Sequence, residues 1–285
     1  GYTGQASAAW AQSVDFGNSA GNPGTVDITS WTQVGAAFDL PAARTRHGAS
    51  VWNDRIYVTG GENSSATETN TIYISPQLSG GGDITSAWTT EAGANEFEVE
   101  RAGHTTIAYA NNLYVLGGND GTNYLNDVQF TQINADGSLD PWTFTTSLPQ
   151  YVSDADGFAA NGFMYLIGGR SAASTCTNNT YVAPISANTT IVSGNNPTGV
   201  GEWYQTNIEF GGDRRNHAVA YNEGRVYVTG GGCASELTTD QHYVGSLRSQ
   251  PQLARYSYFV DADTDVFPNA WLLNGLDNDI GARWQ

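Results

Sequence analysis

Short apolar runs separated by polar, glycine-rich stretches extend along nearly the whole chain, and four of these runs end alike. They read Arg-Ile-Tyr-Val-Thr-Gly60-Gly61, Asn-Leu-Tyr-Val-Leu-Gly117-Gly118, Phe-Met-Tyr-Leu-Ile-Gly168-Gly169 and Arg-Val-Tyr-Val-Thr-Gly230-Gly231. Runs this short, rich in β-branched and aromatic residues and bounded by turn formers, predict strands. The first glycines of the pairs lie 57, 51 and 62 residues apart. Self-similarity at such a spacing predicts a repeat architecture in which one unit cannot bury its apolar faces alone.

A register runs through the four units. Tyr57, Tyr114, Tyr165 and Tyr227 stand three residues before the first glycine; His47, His104, Ala155 and His217 stand thirteen before it; Arg44, Arg101, Val152 and Arg214 stand sixteen before it. After each glycine pair comes a polar loop and a third strand, predicted at 70–73, 126–129, 179–182 and 241–244. A turn such as Asp136-Gly137 or Asn196-Pro197 follows, and then Trp88, Trp142 or Trp203. Ahead of the first unit, Ser13 to Trp31 reads as the third and fourth strands of a preceding sheet. Each unit thus predicts four strands. The tyrosine of the second and the tryptophan of the fourth suit the space between stacked sheets, each a large apolar body with one polar atom. The paired glycines allow a backbone turn that a Cβ would hinder.

The set formed by Arg-x-x-His, an apolar strand, Tyr, Gly-Gly and a downstream Trp resembles the kelch family, over residues 11 to 245. The resemblance implies an all-β fold, a kelch-type β-propeller of four-stranded blades, roughly six or seven to a ring. Four Gly-Gly units and a leading half blade make about five visible here. Either the ring is small or the natural protein extends further. The propeller is expected over residues 1–247. Residues 248–285 are expected to be the last strands of a blade, with Trp271 in the fourth-strand role, or the start of a second β domain.

Charge narrows the partners. There are 28 acidic and 11 basic residues, all the basic ones Arg, for a net charge of −17. Such a surface repels nucleic acid and anionic membranes and favours cationic partners or divalent metal. No apolar run approaches the ~20 residues that span a bilayer. The chain opens Gly-Tyr-Thr, which reads as a processed start or as part of something longer. In a propeller, the loops carrying Cys176 and Cys233 fall on the same face of neighbouring blades. A disulfide between them would point to an oxidising compartment; two unrelated thiols are the alternative. Sequons at Asn63, Asn178 and Asn188 add weak support for export.

Several constellations bear on chemistry. Arg44, Arg101 and Arg214 open the inner strands and could hold a carboxylate or sulfate of a glycan, or else fix the blades by pairing with Asp or backbone carbonyls. Val152 and Ala155 break the register of the third unit, where Asp154 and Asp156 stand. A site for one asymmetric ligand should break a repeat, and two carboxylates could serve acid–base work on a sugar. Asp261-x-Asp263-x-Asp265 could converge on Ca²⁺, although the sixth position is Val266 and no Glu closes a full loop. His47, His104 and His217 share one register, which favours a structural role within each blade over a metal triad. Gly17-x-Ser19-x-Gly21 matches a nucleophile motif without its strand–turn–helix context and reads as a turn. Tyr124, Tyr151 and Tyr204 could stack on sugars or contact proteins.

These observations lead to an expected exported, non-catalytic binding or assembly module at the cell surface, with a protein or glycan partner. A homo-oligomer or surface filament is a sub-hypothesis. A carbohydrate-active enzyme, processing sialic acid or another sugar, is the alternative. An intracellular kelch adaptor is a weaker third reading.

Overall fold

The computed structural model describes residues 12–18, 26–33, 36–80, 82–91, 93–172, 175–185, 199–206, 212–233 and 242–247. β1 (Gln12–Asn18) and β2 (Val26–Gln33) pair as an antiparallel hairpin with Trp31 opposite Val14. The first blade follows as β3 (Gly48–Trp52), β4 (Arg55–Thr59), β5 (Ile72–Ile74) and β6 (Thr89–Glu91). The second is β7 (Thr105–Tyr109), β8 (Asn112–Leu116), β9 (Val128–Gln132) and β10 (Thr143–Thr145). The third begins with β11 (Asp156–Ala160) and β12 (Phe163–Ile167). A small hairpin of β13 (Arg170–Ala172) and β14 (Thr175–Cys176) interrupts it before β15 (Thr180–Pro184) and β16 (Tyr204–Gln205) complete the sheet. The fourth shows β17 (Ala218–Asn222), β18 (Arg225–Thr229) and β19 (His242–Ser246). Every sheet is antiparallel, and the inner strands β3, β7, β11 and β17 pack side by side in that order. This is the expected all-β propeller, with four blades and a leading hairpin among the described residues.

The third strands begin a residue or two later than the sequence pattern suggests, because the residues before them bind the Gly-Gly turn. Gly60 N–H donates to Thr71 O, Gly117 N–H to Asp127 O and Gly168 N–H to Asn179 O. The second glycine joins a three-bond backbone cycle that crosses to the next blade. Gly61 N–H donates to Arg101 O at 2.8 Å, Arg101 N–H to Thr69 O at 3.1 Å, and Thr69 N–H back to Gly61 O at 2.9 Å. Gly118, Val152 and Leu125 repeat the cycle at the second junction, and Gly169, Arg214 and Thr177 at the third. Both glycines of every pair have positive φ. A Cβ on Gly117 would lie 2.2 Å from Val152 O, and one on Gly61 would lie 2.6 Å from Thr45 O. These approaches exclude any side chain.

Side chains fill what the backbone cycles join. Tyr57 Oη donates to Gly137 O of the second blade at 3.1 Å. Trp88, Trp142 and Trp203 donate Nε1–H to the carbonyls of Phe38, Asn95 and Thr146, each in the segment that leads into its own blade. Tyr165, Phe158 and Tyr221 stack in series across the third junction, with centroids 4.7 and 5.1 Å apart. Tyr57, Tyr114, Tyr181, Leu113 and Met164 are fully buried. His104 and His217 differ from the expected intra-blade role. Their Nε2 atoms meet Thr59 Oγ1 at 2.9 Å and Ile167 O at 3.0 Å, both on the preceding blade. The cause is the cycle itself, which draws each inner strand's entry against the neighbouring Gly-Gly strand end.

The disulfide forms as expected: Cys176 on β14 is bonded to Cys233 of the fourth blade, with Cα atoms 6.0 Å apart. It spans the third junction beside Thr177. Residues 248–285, with Asp261, Asp263, Asp265 and Trp271, lie outside the described residues, as do Asn188 and Ser19 to Gly21.

Two stability outcomes follow from these contacts. The disulfide closes a separation of 57 residues. Reduction, or paired Cys176→Ser and Cys233→Ser changes, should lower unfolding stability by about 4 kcal/mol on the loop-entropy account. Urea melts with and without reductant check this; coincident melts would refute it. Gly117→Ala should cost at least about 3 kcal/mol, from a backbone clash in a left-handed conformation. Gly162→Ala, also at positive φ but with open space for its Cβ, should cost about 1 kcal/mol in the same assay.

Candidate binding site

Just before each inner strand, one residue takes a left-handed conformation: Arg46 (φ 52°), Gly103 (φ 64°), Asp154 (φ 57°) and Asn216 (φ 54°). They are joined blade to blade by backbone bonds: Asn216 N–H to Asp154 O, Asp154 N–H to Gly103 O and Gly103 N–H to Arg46 O, at 2.9, 2.7 and 2.8 Å. This ladder lines the mouth of a cleft of about 260 Å³ at the propeller axis. All four blades contribute to its lining, including His47, Thr106, Asp156 and His217. A second antiparallel bridge in each blade, Thr45 to Glu62, Ala102 to Asn119, Ser153 to Arg170 and Arg215 to Gly232, sets a further row beside it. A bulky residue at positive φ is uncommon, so Arg46 marks this rim as specialised.

Three arginines converge on one carboxylate here. Arg46 Nη2 is 2.9 Å from Asp154 Oδ1, Arg170 Nε is 2.6 Å from Oδ2, and Arg215 Nη1 is 3.9 Å from Oδ2. Arg46 Nη1 also pairs with Glu62 Oε1 at 2.5 Å. The Asp154 side chain is 3% exposed, and those of Arg46, Arg170 and Arg215 are 30%, 16% and 18% exposed. Burial works against the Arg46 charge, but Asp154 and Glu62 outweigh it and hold its guanidinium above the ordinary value. Arg46 reaches across the second blade because Gly103 has no side chain. A Cβ there would lie 2.3 Å from Asp154 Oδ1 and 2.7 Å from Arg46 Nη2. The Arg170 guanidinium also lies over the Tyr124 ring, 5.3 Å from its centroid.

The residues singled out in the sequence divide. Arg44, Arg101 and Arg214 are buried inside their blades. Arg101 Nη1 donates to Gly117 O and its fork pairs with Asp127, while Arg214 Nη1 donates to Gly230 O. Arg44 Nη2 donates to Tyr73 Oη. Each guanidinium covers an aromatic ring: Tyr73, Phe97 and Tyr243 respectively. Asp154 and Asp156 both line the cleft, but in different states. Asp156 Oδ2 accepts Val219 N–H and Oδ1 accepts Gly157 N–H, tying the third blade to the fourth. Burial raises the Asp156 pKa despite those two donors. Tyr151 is exposed, and Tyr204 Oη donates to Glu202.

Arg46, Arg170 and Arg215 were missed in the sequence. Their signal is the rule that singled out Asp154. One residue beyond the regular Arg position the units carry Thr45, Ala102, Ser153 and Arg215, and two beyond it Arg46, Gly103, Asp154 and Asn216. One residue beyond each Gly-Gly pair they carry Glu62, Asn119, Arg170 and Gly232. These are the columns where the repeat fails.

Antiparallel blades that each carry a Gly-Gly strand end and pack side by side on their inner strands define a kelch-type propeller. The family model of the KLHDC2/KLHL20/DRC7 Kelch-repeats domain matches residues 25–190, and the chain belongs to that kelch-repeat family. Among solved structures, the one titled "Structure of YjhT" is similar with a TM-score of 0.59 and 12% identity, over 78% of this chain and 71% of the other. That likeness concerns the fold alone. No curated protein matches the sequence.

The junction histidines generate a pH dependence. Burial, foremost, lowers the His217 pKa from 6.5 to about 4. Below pH 6.5 the unfolded chain takes up a proton that the folded chain refuses. Stability present at neutral pH is therefore lost as pH falls from 6.5 towards 4, by about 3 kcal/mol for this residue. Urea melts between pH 7 and pH 4.5 should show a shallower decline in His217→Gln than in the wild type; equal slopes would refute the assignment.

Proposed function

We propose that this kelch propeller is an exported binding module whose axial mouth takes an anionic group of a cell-surface glycan or protein. The observation that carries the reading is the convergence of Arg46, Arg170 and Arg215 beside the cleft. In a chain of net charge −17, three of the eleven arginines gathered around one carboxylate form a local site of opposite sign. Guanidinium groups recognise carboxylate and sulfate through paired N–H donors, and Tyr124 and Tyr151 on the adjoining loops offer faces for stacking. The Cys176–Cys233 bond fits an oxidising compartment. Both oxygens of Asp154 and of Asp156 are engaged, which favours recognition over acid–base work on a bound sugar.

Arrays of glycans and of immobilised acidic peptides should show binding confined to carboxylated or sulfated ligands. Arg170→Ala and Arg215→Ala should each weaken it by about tenfold or more. Binding of neutral ligands only, indifferent to both changes, would overturn the reading. Turnover of a bound sugar that disappears in Asp154→Asn would move the protein to the enzyme class. Assembly into a surface filament calls for light scattering across salt and Ca²⁺ concentrations, where a monodisperse monomer throughout would exclude it.

A further inference from the structure

We infer that Asp154 is a built-in occupant of an oxyanion site, and that an external carboxylate or sulfate gains the three arginines only by displacing it. The inference rests on the binding reading above and adds its regulation. Asp154 is held as a bound anion would be: almost fully buried, with its two oxygens met by guanidinium groups from the first, third and fourth blades. Arg46, Arg170 and Arg215 face it, and Glu62 shares Arg46. Against these three cations stand two carboxylates, so the cluster keeps one positive charge while its centre is filled from within.

The fold does not require a carboxylate at this place. The equivalent positions hold Arg46, Gly103 and Asn216 in the same left-handed conformation, and Asn216 keeps the backbone ladder intact. The ladder bond from Asp154 is made by its main chain. What the carboxylate adds is neutralisation of arginines that remain partly open to solvent at the rim of a cleft. Removing one member of such a cluster leaves like charges together and a demand for an anion. Gly103 completes the arrangement, since the space it leaves is the one through which Arg46 reaches Asp154.

The test is Asp154→Asn, an isosteric change that suits positive φ. Sulfate, compared with chloride at equal ionic strength, should raise the melting temperature of Asp154→Asn clearly more than that of the wild type. Calorimetry should give the variant a Kd for sulfate about tenfold lower. Gly103→Ala, which wedges a methyl between Arg46 and Asp154 while leaving every charge in place, should move sulfate affinity in the same direction and keeps the test decisive if Asp154→Asn does not fold. Wild-type affinity for sulfate equal to or tighter than both variants overturns the inference while the anion site stands. Tight sulfate binding by Asp154→Asn, with no anionic glycan or peptide bound by the wild type, keeps Asp154 as the occupant and removes the ligand reading. No sulfate effect on any of the three proteins removes both.

Discussion

Every blade junction in the described residues closes on the same three backbone hydrogen bonds, and the position of everything at the axis follows from them. The second glycine of a pair, the residue sixteen before the next pair and the residue opening the third-strand loop each donate once and accept once within the cycle. Buried amide groups are costly when unpaired, so a cycle that satisfies all six ends is a strong local solution. It consists of main chain alone. The only demand it places on side chains is their absence at the glycines, where a Cβ would strike a carbonyl of the same or the next blade. This explains why the Gly-Gly pairs recur four times while Val152 can replace an arginine without disturbing its cycle.

Two sets of arginines lie close together in sequence and have different fates. Arg44, Arg101 and Arg214 point into the blades, where Arg101 and Arg214 hold the carbonyl of their own first glycine and each of the three covers an aromatic ring. Their charge is spent on main-chain dipoles and, for Arg101, on Asp127. Where Val152 takes this place, it joins the apolar cluster around Tyr181 instead. Arg46 and Arg215, one or two residues further along, lie where the backbone turns towards the axis. There the surroundings are solvent and one another, and the charges are answered by Asp154 and Glu62. Direction along the chain, rather than residue type, separates structural from available charge.

Much of the fold was legible because it depends on local chemistry repeated in register. The Gly-Gly pairs, the tyrosine before them and the later tryptophan each reflect a steric or hydrogen-bonding need met inside one unit or at its edge. The Cys176–Cys233 pairing was legible for the same reason: consecutive units place equivalent loops side by side. The site was harder to read. Repetition drew attention to arginines that recur, whereas the charged cluster at the mouth is built from residues that do not. Asp154 was found because it breaks the pattern, but its partners come from positions 108, 16 and 61 residues away in three blades, and sequence spacing carries no sign of that convergence. The β13–β14 hairpin, which places Arg170 and Cys176, extends by a second residue pair what the first two units form as the isolated bridges Glu62–Glu68 and Asn119–Tyr124.

The same backbone that hides the site in sequence makes it stiff in space. Arg46, Asp154 and Asn216 hang from the interblade ladder, and Arg170 and Arg215 from bridges beside the cycles, so no flexible loop has to order itself to bring the guanidinium groups together. Preorganised donors spare a ligand the cost of assembling them, but they also repel one another throughout the life of the empty protein. Across the described junctions that repulsion cannot be relieved by letting the blades drift apart, because each is stitched to the next. It has to be met by a counter-charge at the centre of the cluster. A carboxylate supplied by the third blade, at a column that holds Arg, Gly, Asp and Asn in turn at positive φ, resolves the conflict between a fixed cationic mouth and a stable propeller.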